Sequence, residues 1–266
     1  MPQAIIIAIL NFLGIGFTRL WIIAGVQFPM QINDLSLIWR NLAQDVFAKA
    51  DFPESEPLRY VFAKVPRQNL LGSDPRVMID DGRKLTALQH NNPAVADRDV
   101  SFILFPWLGS NNGGPAPHVR LFHASPSSGQ TVLHVGAGMG YYPAILLLLV
   151  GATGKVIALE LDSFLDYSAK ICLKPCDNVE VIVADAAACQ LPVDHIHGNL
   201  AACQPDPNWI DPLALRGRLI FPLGAPDKPQ RPIDAQFFED SSIAQLGLHA
   251  SHLCDARFIR EAGRYR

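Results

Sequence analysis

The sequence predicts an α/β fold: a Rossmann-like, doubly wound, mostly parallel sheet with helices on both faces and a small N-terminal helical region. Three observations predict it. Short apolar runs, Thr131–Val135, Lys155–Glu160 and Val179–Val183, alternate with stretches of helical character. The first run ends in Gly136, Gly138 and Gly140, spaced two apart, where a missing Cβ lets the backbone turn sharply and approach a ligand. The second run ends in Glu160 and the third leads to Asp185. In an open α/β sheet the carboxyl ends of the strands form the ligand crevice. Glycine, glutamate and aspartate on that one edge describe a nucleoside site.

Composition narrows the class. The chain has 266 residues, enough for one sizeable core with an N-terminal extension, and is 49% hydrophobic and 18% charged. Its net charge of −3, with no basic block, argues against a broad nucleic-acid footprint. Cys172, Cys176, Cys189, Cys203 and Cys254 are scattered and form no CxxC pair. That pattern fits neither a disulfide framework nor a structural zinc site, and it suits a reducing cytoplasm.

The elements follow in chain order. Residues 1–30 form an apolar N-terminal extension. Ala4–Val26 is interrupted only by Asn11, Thr18 and Arg19, and is long enough for a membrane span. Arg19 weakens an anchor, and no Lys or Arg precedes the apolar core as in a signal peptide. A buried helix, or an extension upstream of a start at Met30, is the expectation, with membrane association not favoured. Residues 31–114 read as an N-terminal helical or lid region. Leu35, Ile38, Leu42, Val46 and Phe47 fall at helical spacing, with Asn33 and Asp34 offered as N-cap. Pro53, Pro57 and Pro66 make 51–70 a loop, 71–100 is weakly patterned, and Ser101–Phe105 is a short strand or buried turn. Gly109–Pro117 reads as a turn-rich linker.

Residues 115–266 read as the nucleotide-binding domain. Its first strand, Thr131–Val135, leads to a helix over Tyr142–Val150 that stops at Gly151. After the second strand, Ser163–Asp166 offers a capping-box start for a helix to about Leu173. A weak fourth strand spans Asp194–Leu200, a helix lies near Trp209–Leu215, and Gly217–Leu223 is the fifth strand. The tail 233–266 should add short strands and one more helix.

The glycine spacing selects among nucleoside ligands. A dinucleotide fingerprint, G-x-G-x-x-G, fails because Tyr141 occupies the third glycine's place. No Gly-Lys-Ser/Thr phosphate loop occurs. The G-x-G-x-G turn with acids after the second and third strands instead resembles class I S-adenosylmethionine-dependent methyltransferases. More narrowly, Val132-Leu133-x-Val135-Gly136-x-Gly138-x-Gly140-Tyr141 is similar to the first motif of the protein-L-isoaspartate O-methyltransferases. Gly151–Val156 before Glu160, Asn178–Asp185 and Gly217–Gly224 resemble that family's following segments. Pro115-Ala116-Pro117-His118 looks like its Ser-x-Pro-His/Tyr substrate loop.

The resemblance implies S-adenosylmethionine as cofactor and a protein or peptide carboxylate as methyl acceptor, with a small-molecule acceptor as the alternative. It places Gly136, Gly138 and Gly140 beside the methionine part and ribose. Glu160 takes the ribose hydroxyls, with Leu161 in the same set, and Asp185 with the Ala186 N–H lies by the adenine. His118 and Asn199 are the catalytic candidates on the acceptor side; a solvated loop histidine and a plain turn residue are their ordinary readings. The family has Glu or Asp where this chain has His134, and serine where it has Pro115. His134 is thus either a core histidine or a contact to the cofactor's amino-acid end. Those departures keep a non-catalytic cofactor-binding relative open. His195 and His197 share one sheet face, but no third metal ligand accompanies them, so no metal site is expected. Tyr141 and Tyr142 either shield the cofactor or pack.

Overall fold

The computed structural model describes residues 32–50, 55–71, 77–79, 85–87, 98–105, 110–122, 125–185, 192–200, 204, 206–223, 231–240 and 245–252. The apolar run 4–26, Ala186, and the segment after residue 252 lie outside the described residues.

Helix α1 spans Ile32–Ala50 and buries Leu42, Ala43, Val46, Phe47 and Ala50. Asn33 and Asp34 lie within it rather than before it. The stretch expected as loop contains helix α2, Glu56–Phe62, and a 3-10 turn, Arg67–Leu70. Pro57 sits in the first turn of α2 and Pro66 immediately before the 3-10 turn. The first N–H groups of a helix have no partner inside it, so proline is tolerated there. The expected linker resolves the same way. Strand β4 is Ser110–Asn111, and Pro115 opens helix α3, Pro115–Leu121. With β1 (Val77–Ile79), β2 (Leu85–Ala87) and β3 (Ser101–Phe105), β4 forms a small antiparallel sheet in the order β2-β1-β3-β4.

The main sheet holds β5 (Thr131–Val135), β6 (Lys155–Glu160), β7 (Val179–Val183), β8 (Val193–Gly198), β9 (Leu213–Leu223), β10 (Arg231–Asp240) and β11 (Gln245–His252). Its order is β11-β10-β9-β8-β5-β6-β7. Strands β9, β8, β5, β6 and β7 run parallel, and β10 and β11 continue antiparallel from β9. The chain progresses one way from β5 to β7 and the other way from β8 to β11. The reversal falls between β5 and β8, where such sheets open a crevice.

Two expectations in this region are corrected. Helix α6 is confined to Pro207–Ile210, and β9 already begins at Leu213. Trp209 and Leu213 are four apart and both buried, which mimics one helix face, yet they belong to different elements. The strand survives because it bulges: Val193 pairs with Leu213, but His195 pairs with Arg218. Arg216 takes φ +67° in that bulge. In the tail, the described residues form two long strands instead of short ones, and no helix is among them.

Helix α4, Tyr141–Val150, and helix α5, Ser163–Leu173, cover the sheet. Val132, Val156, Ala158 and Val181 pack on one face with α4, α5, α1, α2 and α3. Leu133, Val135, Ile157, Leu159 and Ile196 pack on the other with Trp209 and Phe221. Burial of both faces explains why these strands are almost wholly apolar. Phe62 joins the N-terminal helices to the rest, with Phe47 and Phe122 edge-on at 6.1 and 5.9 Å.

Candidate functional site

The turn after β5 is built from glycine for a steric reason. Gly136, Gly138 and Gly140 have φ of +83°, +57° and +97°, which residues with a Cβ rarely adopt. Gly140 is the residue that caps α4. Among the described residues, a Cβ on Gly138 would meet Leu104 Cδ1 alone, at 3.9 Å, an ordinary contact. The turn is tied to β6: the N–H groups of Gly136 and Ala137 both donate to Leu159 O at 2.9 Å.

Glu160, at the end of β6, faces this turn. Its Oε2 accepts the Gly138 N–H at 2.7 Å. Its Oε1 accepts Leu161 and Asp162 N–H at 2.9 and 3.1 Å. Burial raises its carboxyl pKa, while these backbone donors pull the other way. A carboxylate has about four lone-pair directions, and three are used within the protein. Oε2 keeps room for one more hydroxyl; holding two would require a backbone contact to open. Leu161 is half exposed beside it. Asp162 caps α5, accepting from Phe164 and Leu165 N–H at 2.9 and 3.0 Å, so the cap is Asp162 and not the box expected at Ser163. Asp185 lies half-buried just past β7 on the same edge.

Asn199 follows β8 across the switch point. Its backbone N–H donates to Val135 O at 2.8 Å, and its Nδ2 to Gly136 O at 3.3 Å. Its Oδ1 lies 2.5 Å from His118 Nε2. His118 is therefore no solvated loop residue: it sits in α3, is fully buried, and stacks on Tyr142 at 3.7 Å. Its Nδ1 lies 2.7 Å from Gly114 O. Burial pushes its pKa down to about 4, against the opposing hydrogen bonds.

The structure places His134 in the core. It alternates with Leu133 and Val135, so its side chain leaves the sheet on the face carrying Val132. There it is 0% exposed and stacks on His197 at 5.5 Å. Both its ring nitrogens lack a hydrogen-bond partner among the described residues, and burial drives its pKa to about 3. His197 stacks in turn on Phe122, at 4.5 Å. Among the described residues no group of three or more potential ligands is arranged to hold a metal. Tyr141 and Tyr142 are both buried, so they pack rather than shield a ligand.

Sequence reasoning missed Arg67. This fully buried guanidinium reaches from the 3-10 turn to Arg98 O, Val100 O and Gly113 O at 2.9, 2.6 and 2.9 Å, and to Asn112 Oδ1 at 3.2 Å. Tyr142 Oη donates to the same Gly113 O at 3.2 Å. Arg67 thus clamps the segment that leads into α3. No local pattern marks it, since its partners are 31–46 residues away.

A doubly wound sheet, a glycine turn at the strand-order reversal and an acid on the neighbouring strand define the fold of class I S-adenosylmethionine-dependent methyltransferases. The donor set fits that nucleoside: no described residue crowds Gly138, and Glu160 Oε2 keeps a free direction for a hydroxyl. Residues 120–248 match the family model of the protein-L-isoaspartate (D-aspartate) O-methyltransferases. A protein-L-isoaspartate O-methyltransferase 2 of Archaeoglobus fulgidus is 40% identical over 101 residues, 36% of this chain and 46% of the relative. The Methanothermobacter thermautotrophicus enzyme is 25% identical over 195 residues, 70% of this chain and 79% of its own. The chain spans about half the length of the archaeal relatives from Archaeoglobus fulgidus, Aeropyrum pernix and Methanocella arvoryzae, at 46%, 42% and 54%. A candidate protein-L-isoaspartate O-methyltransferase of Plasmodium falciparum, solved with S-adenosyl-L-homocysteine, superposes with TM-score 0.64 at 16% identity. That match covers 84% of this chain and 97% of the other, and supports the fold. No helix among the described residues is long and apolar enough to cross a membrane.

Proposed function

We propose that the protein is an S-adenosylmethionine-dependent O-methyltransferase acting on a carboxylate of a protein or peptide, of the isoaspartyl type. The observation that carries this reading is Glu160 hydrogen-bonded to the Gly138 N–H at the strand-order reversal, within residues that match this family. When bound, the cofactor supplies a methyl group already activated on a sulfonium. The chain's task is then to bind, align and exclude water. In this reading Gly136, Gly138 and Gly140 make room for the nucleoside, Glu160 and Leu161 hold its ribose side, and Asp185 with Ala186 flank its base. His118 and Asn199 position the acceptor side from beneath, since His118 is buried. Residues 115–266 form the cofactor unit, because β5 to β9 all come from it. Cys172 and Cys176 are both free, which accords with a cytoplasmic setting.

Calorimetry with S-adenosylmethionine and S-adenosyl-L-homocysteine, followed by transfer of labelled methyl to an isoaspartyl peptide, tests the proposal. Binding with transfer is the expected result. Binding without transfer to any protein, peptide or small-molecule acceptor would leave a non-catalytic relative, the alternative that Pro115 raises by offering no hydroxyl. Failure to bind either compound would end the reading.

A further inference from the structure

Asn199 touches both sides of the crevice through one amide. Nδ2 donates to Gly136 O, the first glycine of the turn, at 3.3 Å, and Oδ1 lies 2.5 Å from His118 Nε2. The second ring nitrogen, Nδ1, lies 2.7 Å from Gly114 O. His118 therefore stands between two acceptors, whereas a neutral imidazole has a single N–H to give. Turning the Asn199 amide over would satisfy Nε2 but set Oδ1 against Gly136 O. With a neutral ring, every arrangement leaves one oxygen or ring nitrogen facing a lone pair. Among the contacts of these described groups one hydrogen is short, so they have alternative states, and the choice between them runs through Asn199.

We propose that Asn199 is a positioning residue that couples the His118 ring to the glycine turn, so that a ligand seated on the turn selects the ring's hydrogen-bonding state. The inference rests on the cofactor reading of that turn. A ligand that shifts or polarises the Gly136 carbonyl changes what the Asn199 amide must donate, and hence what it presents to Nε2. Because His118 Nδ1 contacts Gly114 O at the start of α3, the state reaches the helix that carries the Pro115–His118 motif. Among the described residues, the titratable groups facing His118 include Arg67, Tyr142, His134 and His197.

The test uses the full chain with 15N-labelled histidine, and S-adenosyl-L-homocysteine as probe. The His118 ring resonances are assigned by their loss in His118→Gln. In the unmodified chain the probe should move both His118 nitrogen shifts. In Asn199→Leu it should leave them in place and bind about tenfold more weakly, since the buried partner groups lose their hydrogen bonds. Asn199→Asp keeps an acceptor for Nε2–H and loses the donor to Gly136 O. Its His118 ring should hold hydrogens on both nitrogens with or without the probe. Circular dichroism checks that each variant folds; should the leucine variant not fold, the aspartate variant carries the test. If the probe binds but His118 does not respond, or either variant responds as the unmodified chain does, the coupling is overturned and the cofactor site stands. If the probe does not bind the unmodified chain, both fall together.

Discussion

At Gly138 two constraints meet that are usually separate. Its φ of +57° disfavours any residue with a Cβ, and no described residue fills the space above it. Gly138→Ala should thus cost the fold only the left-handed penalty, about 1–2 kcal/mol. Cofactor affinity should fall far more, because the added methyl would occupy the approach to the turn. A melting curve and a titration with S-adenosyl-L-homocysteine separate the two effects. An alanine variant with native affinity would place the nucleoside elsewhere. Glu160 carries a related lesson: its carboxylate is partly saturated by backbone donors, so its hold on a sugar competes with its hold on the turn.

Among the elements, the helix starts govern how the site is assembled. Pro57 and Pro115 lie in the first turns of α2 and α3, where they cost no hydrogen bond. α3 thereby delivers His118 from its middle into the core, against Asn199 just after β8. Helix α5 begins differently, with Asp162 accepting two N–H groups. Asp162→Ala should destabilise the protein by about 1 kcal/mol, read as a lower urea midpoint with unchanged slope. It should also loosen the Glu160–Asp162 corner, since the Asp162 N–H is one of the donors to Glu160. A variant as stable as the parent would show that the cap contributes nothing.

The whole molecule is built around buried neutral imidazoles. His118, His134, His195 and His197 are all buried on one side of the sheet and packed by ring stacking. Burial holds the pKa of His118 at about 4 and those of His134 and His195 at about 3, and pushes that of His197 well below its ordinary value. In the unfolded chain each takes up a proton near pH 6.5. Below that pH the unfolded state binds protons that the native state does not. The stability contribution is thus complete above pH 6.5 and is lost as pH falls toward 4 and then 3. Each histidine adds about 1.4 kcal/mol per pH unit to the slope. Urea midpoints should drop steeply between pH 6.5 and 5, and His134→Phe should reduce the slope by about one proton. A flat profile over that range would mean that the rings are hydrated.

The sequence alone determined the parallel core. Thr131–Val135, Lys155–Glu160 and Val179–Val183 are strands at the limits their apolar runs set, because burial on both faces leaves little freedom in composition. The glycine turn and Glu160 were equally legible, since backbone sterics and strand-end placement are local facts. Only the tertiary structure decided that prolines start helices rather than loops, that Trp209 and Leu213 split between two elements, and that His134 faces the core. It alone joined Arg67 to Gly113 and His118 to Asn199, 46 and 81 residues apart. The reason is physical: a strand's neighbours and a buried side chain's partners are chosen by the packing of distant segments, which no local spacing encodes.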